Sequence, residues 1–131
     1  MTLSQELQSR ANSPKMKASR LSLALADSIK PTGLVLILAG DLDTDSTGEF
    51  LSFVLESLSV MKPPTTLILD LSALKYISST GVGSLTAILS ETRRKGIGLS
   101  ICSIPKHIWN IIDLLGFTAF FSFIDSYEVD P

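Results

Sequence analysis

The sequence predicts an α/β fold in which helices pack on a mixed sheet that begins with a β-hairpin. Residues 20–28 alternate apolar and polar side chains, residues 34–39 form an apolar run, and a Pro-Thr-Gly turn separates the two segments. Further along, apolar runs alternate with segments whose apolar residues recur every three or four positions. Such alternation with short links indicates parallel strands connected by helices that cover the sheet.

The N-terminal residues 1–18 are polar and show no sustained periodicity. We interpret them as an extension, partly helical around residues 3–7, that carries no chemistry of its own. A single domain is expected to span residues 19–131, because a chain of this length is sufficient for one hydrophobic core.

The first helix of the domain is predicted after the hairpin. Ser46 and Glu49 have the spacing of a capping box, and an apolar stripe over residues 50–61 has helical periodicity. Just upstream, Asp41 and Asp43 end the second strand. No His, Cys or further carboxylate cluster accompanies these two residues, so solvated turn carboxylates or helix caps are favoured over a metal site.

The central stretch of the chain, residues 67–89, joins a strand to a helix. The apolar run 67–69, which ends in Asp70 and Leu71, is typical of a strand buried on both faces. Residues 72–77 are predicted to be a link, and helical spacing begins at Val82. Three consecutive hydroxyl residues stand at the start of this helix: Ser78, Ser79 and Thr80.

Hydroxyl groups at a helix start allow two interpretations. They can cap the unpaired backbone N–H groups of the first turn. Alternatively, a phosphoryl group added to one of them would place close to two negative charges at an exposed position and repel a docked partner.

The remaining elements follow the same alternation. The helix that begins after Thr80 ends at Gly96, and the next apolar run predicts a strand. Pro105 starts a further amphipathic helix. Residues 120–124 predict a last strand, and Asp125 is expected to cap a short final turn.

Composition excludes several classes of protein. Apolar residues make up 45% of the chain, charged residues 18%, and the net charge is −2, which argues against a disordered chain and against a nucleic-acid surface. No apolar run reaches the length of a membrane span. The one cysteine, Cys102, lies in an apolar run and is expected to be a buried, inert thiol, which suits a reducing cytoplasm.

Catalytic motifs are absent from the sequence. It contains no Gly-x-Ser-x-Gly elbow, no phosphate loop ending in Lys-Ser or Lys-Thr, and no metal-spaced His or Cys set. Gly81 and Gly83 form only half of a dinucleotide fingerprint. We therefore expect a protein that is not an enzyme and that uses no metal and no cofactor.

Three segments resemble the STAS domain family (sulfate transporter and anti-sigma factor antagonist), in particular its free-standing bacterial anti-sigma factor antagonists. Residues 40–43 are similar to the family's Gly-x-Leu-Asp after the second strand. Residues 67–85 are similar to its central strand and its Asp-Ser-Ser/Thr-Gly-x-Gly helix start, with Ser78 in place of the family's Asp. Residues 99–130 are similar to the later strand, the Pro-initiated helix and the final strand.

The resemblance implies a STAS-like mixed sheet and a cytoplasmic partner switch that regulates transcription. In the family, an anti-sigma factor with serine/threonine kinase activity phosphorylates the serine that corresponds to Ser79, for which Ser78 and Thr80 are alternatives here. The unphosphorylated form binds the anti-sigma factor, and a PP2C-type phosphatase reverses the modification. The implied partner-binding residues are Asp41, Asp43, Ser78, Ser79, Thr80, Gly81 and Gly83.

Two other functions remain as alternatives. One is a STAS interaction subunit of a transporter or signalling scaffold that is not phosphorylated. The other is an anion- or nucleotide-binding module that uses the helix N-terminus.

Overall fold

The structure is a computed structural model of the 131-residue chain, and it describes residues 1–129. The helices are α1 (Leu3–Ala11), α2 (Pro14–Lys17), α3 (Thr47–Val60), α4 (Ser79–Lys95) and α5 (Lys106–Leu114). The strands are β1 (Leu21–Lys30), β2 (Thr32–Leu42), β3 (Thr66–Ile77), β4 (Gly98–Cys102), β5 (Ser122–Ile124) and β6 (Glu128–Val129). Within the described residues, no helix has the length and apolar character needed to cross a membrane.

The strands of residues 1–129 form one sheet in the order β5-β4-β3-β2-β1-β6. β1 and β2 are an antiparallel hairpin, whereas β2, β3, β4 and β5 run parallel to one another. The predicted mixed sheet with an opening hairpin is therefore confirmed. β6 was not predicted, and it pairs antiparallel with the free side of β1.

The sheet carries two apolar layers of unequal size, because side chains alternate between the faces of each strand. The helices cover a large core on one face. Its fully buried members include Leu36, Phe50, Val54, Leu69 and Ile88. On the other face, Val35, Ile68 and Cys102 form a smaller cluster. The predictions that the central strand is buried on both faces and that the thiol is buried are confirmed.

The smaller layer is closed by the C-terminal segment of the chain. Tyr127 packs on it, and its hydroxyl donates a hydrogen bond to Asp70 Oδ2 at 2.6 Å. Asp70 Oδ1 accepts from the N–H of Ser72 at 2.9 Å, so both oxygens of this buried carboxyl group have a partner. Burial, together with the hydrogen bond to Asp70, raises the pKa of Tyr127, which keeps the phenol protonated as the donor.

The same segment shows that the sheet is strongly curled. β5 and β6 lie at opposite edges of the sheet, yet only residues 125–127 separate them along the chain. The four steps from Ile124 to Glu128 reach at most about 14 Å. Five strand spacings across a flat sheet would need about 24 Å. The sheet must therefore curl until its two edges approach each other.

The N-terminal residues form helices that dock on β1, including the predicted helical residues 3–7. Leu7, Ala11 and Met16 are buried in the large core. Beside the open part of β1, the side-chain amide of Gln8 donates to the carbonyl of Leu23 at 3.1 Å and accepts from the N–H of Leu25 at 2.9 Å. These two bonds satisfy edge backbone groups that no strand pairs with.

A carboxylate on β1 anchors the start of α1. Asp27 Oδ2 accepts from the hydroxyl of Ser4 at 2.5 Å, and Asp27 Oδ1 accepts from its N–H at 3.2 Å. Partial burial alone would raise the pKa of Asp27, but the hydrogen bonds from Ser4 and Thr2 outweigh burial and hold that pKa below its ordinary value.

The start of α4 packs tightly against the end of β2. A Cβ atom added at Gly81 would lie 2.6 Å from the carbonyl oxygen of Leu42 and 2.9 Å from Ile77 Cγ1. A Cβ atom added at Gly83, only two residues further along the same helix, would meet no atom within 4 Å. Packing therefore requires a glycine at position 81 but not at position 83.

Several local predictions were wrong. The Ser46 side chain makes no capping bond, because its oxygen is used within the preceding loop. Residues 72–77 are not a link, since β3 continues to Ile77 through irregular pairing with β2. Phe120 lies in a 3₁₀ turn, which shortens the last predicted strand to Ser122–Ile124, and Asp125 leads into β6 instead of a final turn.

The two glycines of α4 give a matched pair of substitutions. We expect Gly81→Ala to lower the free energy of unfolding by about 1–3 kcal/mol, because backbone would have to move to relieve the overlap. Gly83→Ala should be neutral or stabilising by up to about 1 kcal/mol, as expected for an open helix position. Urea unfolding of both variants checks this, and equal effects would contradict the close packing at Gly81.

Docking of α1 should depend on pH through Asp27. Since the folded-state pKa is depressed, the contribution of this carboxylate is present above its ordinary pKa of 3.8 and is lost as the pH falls through the lower pKa of the folded state. We expect faster amide exchange of α1 in Asp27→Ala than in wild type at neutral pH, with the difference disappearing in strong acid. Asp45→Ala, which removes an exposed carboxylate elsewhere, is the control. A difference that persisted unchanged in acid would refute this anchor.

Candidate functional site

Ser78 fixes the junction between β3 and α4 as the N-cap of the helix. Its backbone is extended (φ −89°, ψ 169°), and its Oγ accepts from the N–H of Gly81 at 3.0 Å. Its own N–H donates to the carbonyl of Leu42 at 2.9 Å. The side chain thus caps α4, and the main chain ties that cap to the end of β2.

The next two residues, Ser79 and Thr80, are both exposed. Thr80 Oγ1 lies 2.8 Å from Ser78 Oγ and 3.3 Å from Thr44 Oγ1, so its hydroxyl takes part in a small network. Ser79, the first residue of α4, makes no side-chain hydrogen bond with any residue in the described part of the chain. It is the one hydroxyl of the three that the fold leaves uncommitted.

The loop after β2 is held by Ser46, which is fully buried. Its Oγ donates to the carbonyl of Asp41 at 2.8 Å and accepts from the N–H of Asp43 at 2.9 Å. Asp43 Oδ1 accepts in turn from the N–H groups of Ser46 at 2.9 Å and Asp45 at 3.0 Å. The sequence analysis did not predict this role of Ser46. The spacing Asp43-x-x-Ser46 is a signal for such an Asx turn and could have indicated it.

These bonds also set the charge of the loop. The hydrogen bond from the Ser46 backbone is the main cause that lowers the pKa of Asp43; partial burial opposes it, and the charge of Arg20 adds a smaller lowering. The Asp43 carboxylate is therefore firmly ionised. With Asp45 in the same loop and Asp41 near the end of β2, it gives this edge of the molecule an acidic character.

Parallel pairing of β2 with β3 brings the loop after β2 next to the junction between β3 and α4. Leu42 and Ile77, the last residues of β2 and β3, are in register, and Thr44 contacts Thr80 across the gap. We use the term Ser79 surface for the surface of the two loops, formed by Asp41, Asp43, Thr44, Ser79 and Thr80.

The other three predicted site residues lie around this surface. Ser78 is half-buried beneath it, and Gly83 is exposed on the next turn of α4. Gly81 is buried against Leu42 and supports the surface from inside.

The chemistry available at this surface is limited. Nucleophilic catalysis by a serine needs a base within hydrogen-bond reach, and Ser79 has none among the described residues. The Nε2 of His107, the one histidine of the chain, lies 2.9 Å from the carbonyl oxygen of Lys75 instead. Within residues 1–129, no group of three or more His, Cys, Asp or Glu side chains could hold a metal ion. What this surface offers chemically is an exposed hydroxyl, that of Ser79, at the N-terminus of a helix.

Solved structures share this fold. An anti-sigma factor antagonist from Mycobacterium paratuberculosis is similar with a TM-score of 0.69 at 19% identity, over 87% of this chain and 90% of that chain. The Bacillus cell fate determinant SpoIIAA in its phosphorylated form gives a TM-score of 0.60 at 15% identity, over 80% of this chain and 91% of that chain. Identities this low show the fold alone.

An anion transporter contains the same fold as a part. The murine anion transporter Slc26a9 is similar with a TM-score of 0.57 at 19% identity, over 74% of this chain but only 18% of that chain.

Sequence comparison gives the family. No curated protein matches the sequence. The family profile described as the STAS domain, however, matches residues 24–129. This match spans most of the sequence, and the chain therefore belongs to the STAS domain family.

Proposed function

We propose that this protein is a bacterial, cytoplasmic anti-sigma factor antagonist, active when unphosphorylated and switched off by phosphorylation of Ser79. The observation that carries the proposal is the exposed, uncommitted hydroxyl of Ser79 at the first position of α4. Membership of the STAS family and structural similarity to anti-sigma factor antagonists support it. In this proposal residues 19–131 are the STAS domain, residues 1–18 are an extension that packs on it, and the protein is not an enzyme.

The geometry favours Ser79 over its two neighbours as the acceptor. Phosphorylation of Ser78 would turn the Oγ that accepts from Gly81 into the ester oxygen of a bulky dianion, and this side chain is half-buried. Modification of Thr80 would break its contacts with Ser78 and Thr44. A phosphoryl group on Ser79 breaks no hydrogen bond of the described structure, so the fold would change little.

A phosphate on Ser79 would change the surface mainly through charge. It adds about −1.5 to −2 charges at neutral pH. The helix N-terminus, with its unpaired N–H groups, stabilises that charge locally. The acidic loop residues Asp41 and Asp43 stand on the same surface, so the phosphate deepens an existing negative potential. A partner that accepts the unmodified surface would then be repelled.

The partner we propose is an anti-sigma factor with serine/threonine kinase activity, whose sequestration regulates transcription. A PP2C-type phosphatase would restore the unmodified form, and the exposure of Ser79 would give both proteins access to it. The acidic contact surface calls for a partner with basic side chains around its docking site.

A second candidate is a STAS interaction subunit that is never phosphorylated, in a transporter or signalling scaffold. Two observations favour it: the similarity to the anion transporter Slc26a9, and Ser78 in place of the acidic residue that precedes the modified serine in the family.

Phosphorylation by the cognate kinase distinguishes the two candidates. We expect incorporation of one phosphate into the wild-type protein, full loss of labelling in Ser79→Ala, and retained labelling in Thr86→Ala, a matched hydroxyl variant on the same helix. Intact-mass spectrometry followed by peptide mapping measures this. Unaltered labelling of Ser79→Ala would exclude Ser79 as the acceptor.

Substitution of Ser78, the N-cap, should affect stability more than substitution of Ser79, the proposed acceptor. We expect Ser78→Ala to lower the free energy of unfolding by about 1 kcal/mol through loss of the N-cap while labelling of Ser79 persists. Ser79→Ala should leave stability within about 0.5 kcal/mol of wild type, as for other surface changes. Urea denaturation of both variants gives the two values, and the reverse ranking would disprove the assigned roles.

Binding of the anti-sigma factor that co-purifies with the protein should respond to charge. We expect Ser79→Asp to weaken its affinity at least about tenfold, or 1.4 kcal/mol, while the isosteric Ser79→Cys binds like wild type. Titration calorimetry measures both. Equal affinities for Ser79→Asp and wild type would favour the non-phosphorylated subunit.

A further inference from the structure

A cleft of about 450 Å³ lies between the N-terminal helices and the rim of the sheet, outside the Ser79 surface. Its lining combines apolar residues of the core, including Met16, Leu21 and Leu23, with small residues of β2 and β3, including Ala39 and Ala73. The connection between α1 and α2 forms one wall. The cleft therefore exists only while these helices are docked on β1.

Three cations surround this apolar floor: Lys17, Arg20 and Lys75. All three are exposed, and none of them is in an ion pair within residues 1–129. The residues lining the cleft include no carboxylate. The chain as a whole carries a net charge of −2, so the charge around the cleft is opposite in sign to the net charge of the chain.

The electrostatics of such a cleft favour an anion. Positive side chains around a concave, low-dielectric surface raise the local concentration of negative ligands. The charge of Arg20 makes a small contribution to the lowered pKa of Asp43, a carboxylate that the Ser46 and Asp45 backbone already holds. The guanidinium of Arg20 thus stays available for bidentate contact with a carboxylate or phosphate.

We propose that this cleft binds a small amphipathic anion, with its phosphate or carboxylate group between Arg20, Lys17 and Lys75 and a short hydrocarbon part over the apolar floor. The volume is within the range of about 300–1,000 Å³ that small-molecule sites occupy. The inference is independent of the proposed role of Ser79. It gives the N-terminal helices a function, because they supply a wall of the site and one of its cations.

Binding can be tested with hexyl phosphate as the probe, followed by ¹⁵N–¹H NMR on the full chain. We expect saturable shifts of amides that border the cleft, including those of Arg20, Gly40 and Lys75, and a dissociation constant in the millimolar range or below. Arg20→Gln and Lys75→Gln should each weaken binding several-fold and the double variant at least about tenfold, which corresponds to 1.4 kcal/mol. Lys62→Gln, an exposed cation outside the cleft, should bind like wild type.

A steric variant and two further probes test the same site independently of the cations. Ala73→Leu, which places a larger side chain in the cleft at an exposed position, should abolish binding while the folded spectrum is kept. Equal affinity for inorganic phosphate would overturn the role of the apolar floor, and equal affinity for hexanol would overturn the role of the cations. Wild-type affinity in the Arg20→Gln, Lys75→Gln double variant would refute the site.

Discussion

The carbonyl group of Leu42 holds the two halves of the candidate site together. Its oxygen accepts a hydrogen bond from the N–H of Ser78. The same oxygen is the nearest atom to the place that a Cβ atom would occupy at Gly81. Both contacts use the main chain, and both follow from the parallel register that places the end of β2 beside the end of β3. The loop of Asp43 and the first turn of α4 are consequently positioned by the backbone. Side chains on the surface can then change charge without disturbing the scaffold beneath.

The uncharged side chain of the N-cap, Ser78, also affects how strongly the start of α4 can stabilise an anion. A carboxylate at the position of Ser78 would neutralise part of the positive end of the α4 dipole and would repel an anion on the next residue. The hydroxyl of Ser78 satisfies the N–H of Gly81 without adding charge. In this chain the full positive end of the helix would therefore face an anion placed on Ser79, and repulsion of that anion would come only from the carboxylates of the neighbouring loop. Ser46, buried beneath that loop, holds the loop in its position.

Local pattern was sufficient to predict most of the architecture and the presence of a hydroxyl cluster at the start of α4. The hairpin, the central buried strand and the hydroxyl cluster at its helix start depend on residues close together in sequence, where periodicity and turn chemistry act directly. Most errors occurred where contacts between residues far apart in sequence decide. β3 continues past Leu71 because β2 pairs with it, and β6 exists because β1 offers a free edge. The docking of α1 similarly depends on Asp27 and on the backbone of β1, which residues 1–18 alone do not reveal. The role of Ser46 is different, because its partners Asp41 and Asp43 are close to it in sequence and the local signal was missed.

Closure of the smaller apolar layer by Tyr127 has a consequence for the reactivity of the thiol. Cys102 is buried in that layer, and Ile124 and Tyr127 pack on it from the C-terminal segment. An oxidant can therefore reach Cys102 only when this face of the sheet opens locally, and the hydrogen bond from the Tyr127 hydroxyl to Asp70 opposes that opening. Because the large core lies on the other face, such an opening leaves the main body of the fold in place.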